Sequence, residues 1–180
     1  MTTIAVFVGS LQEKSFNKRI AKTLESFAPE GMTFMYVDIN MPLYNQDLEA
    51  DYPQAAQAGK DIVEAADGVL FVTPEYNRSI PGALKNAIDW VSRPYGLNTF
   101  AHKPVGIVGV SMGPVGTAIM QADMRHVLSF LDMKQMNQPE MYLADISDAM
   151  FDSEGSLTDE RWQKNLKAYM DAFADWVSKA

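Results

Sequence analysis

Residues 69–90 read Val69-Leu70-Phe71-Val72-Thr73, then Pro74-Glu75-Tyr76-Asn77-Arg78-Ser79-Ile80-Pro81-Gly82, then Ala83-Leu84-Lys85-Asn86-Ala87-Ile88-Asp89-Trp90. The first part is an unbroken apolar run, the pattern of a strand buried on both faces of a parallel sheet. The last part repeats apolar residues at helical spacing, with Leu84, Ala87, Ile88 and Val91 on one face. A strand that empties through a short stiff loop into a helix is one step of an alternating α/β fold. Ligands in such folds bind outside the carboxyl ends of the strands, so the loop 74–82 is where one is expected. Ser79 reads as a helix N-cap, with Pro81 in the first turn, where its missing N–H does no harm.

The same alternation extends in both directions. Thr3–Val8 is a β-branched and aromatic run that ends at Gly9-Ser10. Ser15 can cap a helix carrying Phe16, Ile20, Leu24 and Phe27, and Pro29-Glu30-Gly31 stops it. Met32–Val37 is a second strand, 38–51 is irregular, and Ala55–Ala66 is a helix. Pro104–Val110 forms a further strand, followed by Ser111-Met112-Gly113-Pro114 and a helix using Ile119, Met120, Val127, Leu128 and Leu131. A short fifth strand falls between Lys134 and Tyr142, and a last helix begins near Thr158-Asp159-Glu160. Five strands alternating with helices predict a doubly wound parallel sheet of order 2-1-3-4-5, with helices on both faces. In that order the switch point lies between the first and third strands. The loops 9–17 and 74–82 both open there.

Bulk properties narrow the function. A chain of 180 residues forms one sizeable core, and a single domain over 1–180 is expected. The formal charge of −8 opposes nucleic-acid binding, which needs a basic footprint. An anion must then be held by local donors. There is no cysteine, so disulfides, thiolate nucleophiles and cysteine-ligated zinc are excluded. Two isolated histidines and scattered acids offer no metal cluster. The N-terminus lacks a basic region, and its apolar run, Ile4 to Val8, is too short for a signal or membrane segment. A cytoplasmic protein without a membrane partner is expected.

Each loop suggests its own chemistry. In Gly9-Ser10-Leu11-Gln12-Glu13-Lys14-Ser15-Phe16-Asn17, Gly9 permits a tight turn, and Ser10, Ser15 and Asn17 supply neutral donors. The helix that follows turns its free N–H groups and positive dipole end toward the loop, a place for phosphate. The bland alternative is that Ser15 and Asn17 only cap a helix. Neither G-x-x-x-x-G-K-[ST] nor G-x-G-x-x-G is present. The loop Pro74-Glu75-Tyr76-Asn77 has backbone groups free to meet the edge of a planar heterocycle, with Tyr76 shielding part of it; by itself it could be no more than a turn. Gly109-Val110-Ser111-Met112-Gly113 matches the G-x-S-x-G nucleophile elbow in the right strand-to-helix context. A serine hydrolase needs a histidine after the serine, and only His126, in the next helix, follows Ser111. Ser111 and Gly113 therefore read as a turn that lets backbone approach a ligand.

Three motifs in order carry a resemblance: Gly9-Ser10-Leu11 with Ser15-Phe16-Asn17, Thr73 to Trp90, and Ser111-Met112-Gly113 with Gly116-Thr117. The chain resembles the NAD(P)H-dependent FMN reductase family, the flavodoxin-like quinone, azo-dye and chromate reductases, over roughly Ile4 to Val177. The resemblance implies FMN as cofactor, NADPH or NADH as reductant, and a two-electron hydride relay to quinones or to azo, nitro, chromate or free-flavin acceptors. Gly9, Ser10, Gln12, Ser15, Phe16 and Asn17 would then surround the phosphate. Pro74, Glu75, Tyr76 and Asn77 would line the isoalloxazine through backbone groups. Ser111, Met112 and Gly113 would close the other side, and Arg78 is a candidate for electrostatic support. No side chain need act as nucleophile or base. The family commonly carries an arginine where this chain has Gln12; Lys14 and Lys18 are the neighbouring cations. The resemblance also implies a homodimer or homotetramer, with Asn86 and Trp90 on the outer side of their helix as a contact. The rival from outside the enzymes is an electron-transfer flavodoxin passing single electrons to protein partners.

Overall fold

The computed structural model describes residues 1–180. Six strands form one sheet: β1 (Thr2–Val8), β2 (Met32–Val37), β3 (Gly68–Thr73), β4 (Pro104–Val110), β5 (Lys134–Gln135) and β6 (Tyr142–Leu143). The order is β2-β1-β3-β4-β5, with β6 also on β4, and every pairing is parallel. The expected order 2-1-3-4-5 is therefore the observed one. The expected fifth strand is split: β5 meets the start of β4 at Pro104 and Val105, and β6 meets its end at Gly109 and Val110. Pro139, which has no N–H for a ladder, lies in the stretch between them.

The helices are α1 (Phe16–Ser26), α2 (Gln54–Ala65), α3 (Gly82–Val91), α4 (Ala118–Phe130) and α5 (Glu160–Lys179). Alternate strand residues divide between two cores, as the two-residue period requires. Ala5, Phe7, Val69, Phe71, Val105 and Ile107 pack with α2, α3 and α4. Ile4, Val6, Leu70, Val72, Val108 and Val110 pack with α1 and α5. Strands β3 and β4 are buried along their whole length, which explains their continuous apolar runs. Edge strand β2 alternates instead. No helix is long and apolar enough to cross a membrane.

Three local expectations are corrected. Ser79 does not cap α3: Pro81 holds the N-cap position, and Ser79 closes a turn with Tyr76. Ile119 is exposed rather than in the core. Trp90 is not on an outer surface but fully buried. Segment 38–51, which includes a short 3-10 turn at Gln46–Leu48, covers it. The Trp90 indole N–H donates to Pro42 O at 2.7 Å, and the Asn86 amide donates to Pro42 O at 3.0 Å and accepts from Tyr44 N–H at 2.8 Å. Tyr44 and Tyr52 each meet the indole edge-on, with centroids 5.0 Å away. The outer side of α3 is thus occupied by the chain itself.

Candidate active site

The loops after β1, β3 and β4 converge at the carboxyl edge of the sheet. Gly9 N–H donates to Val72 O at 2.9 Å, so the β1 loop leaves directly against the end of β3. Ser15 caps α1 as expected, its hydroxyl accepting from Asn17 N–H at 3.2 Å. Ser10, Ser15 and Asn17 are all buried, whereas Gln12 is exposed and gives its N–H to Ser10 Oγ at 3.3 Å. Asn17 reaches across to Val110 O at 3.5 Å and so ties this loop to the end of β4. The backbone N–H groups of Leu11, Glu13, Lys14, Ser15 and Phe16 make no hydrogen bond within the chain. Phe16 contributes only backbone here, since its ring stacks on Phe151 at 5.7 Å.

The β3 loop is a tight turn. Tyr76 and Ser79 exchange both backbone hydrogen bonds, at 3.1 and 3.0 Å. Its two-residue tip, Asn77 and Arg78, has φ of 52° and 64°. Two successive left-handed residues are what a type I′ tip demands, and asparagine tolerates that region better than arginine. The turn is held from beneath by Glu75, whose side chain is only 7 % exposed. One carboxylate oxygen accepts from Met120 N–H in the first turn of α4 at 3.0 Å, and the other pairs with Arg78 at 3.2 Å. Ser79 donates to Asp123 Oδ2 at 2.8 Å, a second strap to α4. Pro74 is buried at the strand end, and Tyr76 is half exposed above it. The N–H groups of Asn77 and Arg78 are unengaged.

In the β4 loop, Ser111 Oγ accepts from Gly113 N–H at 3.0 Å, and Met112 is exposed. No histidine bonds Ser111. His102 pairs with Asp132 at 3.1 Å before β4 begins, and His126 lines a cavity with Ser92 and Arg93 after α3 ends. The nucleophile-elbow reading therefore lacks its base. Gln121, which the sequence reading did not single out, is fully buried beneath this loop. Its amide donates to Met141 O at 2.8 Å and to Thr117 Oγ1 at 3.2 Å. The available signal was a glutamine one helical turn after Thr117 on an apolar helix face.

The observations fit a phosphorylated ligand with a flat, uncharged end. Unpaired N–H groups at the start of α1 suit an anion. The buried Asn17 Oδ1 has no partner in the chain and suits a ligand hydroxyl. Tyr76 and Met112, exposed on the loops after β3 and β4, offer apolar surface suited to a planar ring.

This sheet order, with an anion-type loop after β1 and a donor turn after β3, defines the flavodoxin-like class of mononucleotide-binding folds. The chain belongs to the NADPH-dependent FMN reductase family, whose pattern matches residues 2–148. A 2-hydroxy-1,4-benzoquinone reductase from Burkholderia sp is 49 % identical over 175 residues, covering 97 % of this chain and 95 % of that protein. A quinone reductase from Pseudomonas putida is 44 % identical over 177 residues, covering 97 % and 94 %. FerB, a flavoenzyme NAD(P)H:(acceptor) oxidoreductase from Paracoccus denitrificans, shares 42 % identity and superposes with a TM-score of 0.93, covering 99 % of this chain and 98 % of that one. Membership makes the chain an oxidoreductase.

Proposed function

We propose that residues 1–180 act as one FMN-binding domain that reduces quinone-class acceptors at the expense of NADH or NADPH. The observation that carries this reading is the junction of two unlike surfaces at one switch point. Buried hydroxyl and amide groups with free N–H donors lie at 10–17, and a stiff turn with unengaged N–H groups lies at 74–79. FMN, when bound there, would supply the two-electron redox chemistry between reduced nicotinamide and an acceptor. Ser10, Gln12, Ser15 and Asn17 would hold the phosphate and its neighbouring hydroxyls, with Gly9 and the Phe16 backbone completing the loop. Pro74, Glu75, Tyr76 and Asn77 would present backbone to the ring, and the unengaged N–H groups of the turn would face it as hydrogen-bond donors. Ser111, Met112 and Gly113 bound the opposite side. Arg78 adds a positive charge near the turn, its side chain 63 % exposed and paired with Glu75.

In the overall reaction NAD(P)H and a proton convert one quinone to one hydroquinone. Azo, nitro, chromate and free-flavin acceptors are the expected side range. A cytoplasmic homodimer or homotetramer is the expected form. With Trp90 buried, one apolar surface open to a second copy is formed by Tyr95 and Phe130, which are exposed and line one shallow groove.

The test is direct. The purified chain should release FMN on denaturation and oxidise NADH or NADPH faster when a quinone such as 1,4-benzoquinone is added, with one hydroquinone formed per NAD(P)H consumed by that acceptor. A chain that cannot take up added FMN overturns the reading. A flavin-loaded chain that fails to oxidise either nicotinamide favours the single-electron carrier instead.

A further inference from the structure

Lys18 is out of place by the ordinary rules of helix electrostatics. It lies in the first turn of α1, where the dipole favours negative charge, and that turn contains no acidic residue. Its neighbours are compensated. Arg19 pairs with Asp148 at 2.9 Å between the rings of Phe16 and Phe151, and Lys22 pairs with Glu25 at 2.7 Å. Lys18 has no carboxylate partner. Its side chain bends back along the helix instead, placing Nζ 3.5 Å from Leu11 O, inside the loop that follows β1. There it walls a cleft of about 270 Å³ with Ser10 and Leu11; Lys22 and Asp38 line the same cleft, and Asp38 makes no ion pair with Lys18. Lys18 also lines the outer groove of about 560 Å³, beside Ser15, so it stands between Ser10 on one side and Ser15 on the other; Lys14, the other free cation nearby, shares only that outer groove, with Glu13 and Glu154.

Every side chain expected to hold the phosphate (Ser10, Gln12, Ser15 and Asn17) is neutral, in a chain whose net charge is −8. A dianion at the start of α1 would have helix N–H groups but no countercharge from those residues. We propose that Lys18 is that countercharge: an uncompensated cation held over the loop backbone, ready to make a charge-assisted contact with a phosphomonoester. This rests on the loop binding FMN, and it selects Lys18 rather than Lys14. The corollary is specificity for FMN over riboflavin, which shares the ring and ribityl chain but lacks the phosphate.

The experiment titrates the flavin-free full chain with FMN and, separately, with riboflavin, following flavin fluorescence. Lys18→Met should weaken FMN by about 10- to 100-fold, the range of one charge-assisted hydrogen bond, and leave riboflavin within about twofold. Lys18→Arg should keep most of the FMN affinity. Adding Gln12→Arg to Lys18→Met should restore it, because the loop then regains a cation from the other side. The thermal midpoint of flavin-free Lys18→Met should be equal to or above that of the parent, since repulsion with the helix dipole is removed. Equal weakening of both flavins, or unchanged FMN binding, overturns the assignment. Failure of the parent chain to bind FMN at all overturns the proposed function instead, so the two failures are distinct.

Discussion

At the scale of single residues, the site depends on two glycines whose reason is close approach rather than an unusual backbone angle. Gly9 does not have positive φ; a Cβ there would stand 2.1 Å from Thr73 Oγ1 and 2.6 Å from Thr73 Cβ. Thr73 is itself buried and cannot swing aside without moving the end of β3. Gly109 is similar, with a Cβ falling 1.4 Å from Thr117 Oγ1. Gly9→Ala should therefore lower stability by about 1–3 kcal/mol, as overpacking in a filled interior does. It should also weaken FMN binding, because the displaced backbone is the one that positions Ser10 and the free N–H groups. Gly82→Ala is the matched control. Nothing lies within 4 Å of its added carbon, it opens α3, and alanine there should be neutral or stabilising by up to ~1 kcal/mol. Thermal melts and flavin titration of the two variants check both expectations; equal behaviour would remove the steric argument.

At the scale of elements, most of the fold was legible because strand and helix periods are written in apolar residues that no other signal overrides. The runs at 4–7, 69–72 and 105–110 are buried as they read, with Val8 half-buried at the strand end. What was not legible is what one part of the chain lays over another. Helical spacing placed Trp90 off the Leu84/Ile88 face, but no local pattern says that segment 38–51 returns to bury it. Ser79 has the composition of a cap, yet the two-residue tip at Asn77 and Arg78 consumes it one turn too early. Glu75 shows the same limit inside the site. The proposed function uses only its backbone, while its side chain serves a different element, capping the N-terminus of α4, where Thr117 provides no cap of its own. Glu75→Ala should cost about 0.5–2 kcal/mol, the range for loss of a helix cap, and loosen the turn that carries Tyr76 and Asn77. Glu75→Gln keeps an acceptor for Met120 N–H and loses only the exposed pairing with Arg78, so it should recover most of that stability. Denaturant melts of the flavin-free variants give the comparison. A glutamine variant as unstable as the alanine one would mean that charge, not the cap, is what matters.

At the scale of the whole molecule, two cores share one sheet, and Tyr169 of α5 joins helix to sheet at the centre of one of them. Its ring is 1 % exposed, its hydroxyl donates to Ile107 O at 3.0 Å, and Gly106 makes room, since a Cβ there would lie 2.6 Å from the phenol oxygen. Burial pushes the Tyr169 phenol well above its ordinary value. Burial and the Glu25 carboxylate do the same for Tyr36, and burial with Glu49 and Tyr44 pushes Tyr52 up to about 12. For a phenol the sign is fixed: a raised folded value favours the neutral form. The stabilisation is complete below the unfolded value near ~10 and is lost as pH rises from there through the folded value. While unfolded Tyr169 ionises and folded Tyr169 does not, stability should fall by up to ~1.4 kcal/mol per pH unit from this residue alone. Tyr169→Phe removes the hydrogen bond, costing about 0.5–1.5 kcal/mol at pH 8. It also removes the ionisation. The two chains should therefore converge between about pH 10 and pH 11 and then cross, the phenylalanine variant becoming the more stable. Urea melts at pH 8, 10, 11 and 11.5 would show the crossing. Parallel curves would mean that Tyr169 ionises as readily in the folded chain as in the unfolded one, and that the α5 core admits water at high pH. The carboxyl-edge loops take no part in that contact, so FMN affinity at pH 8 should be the same in both chains.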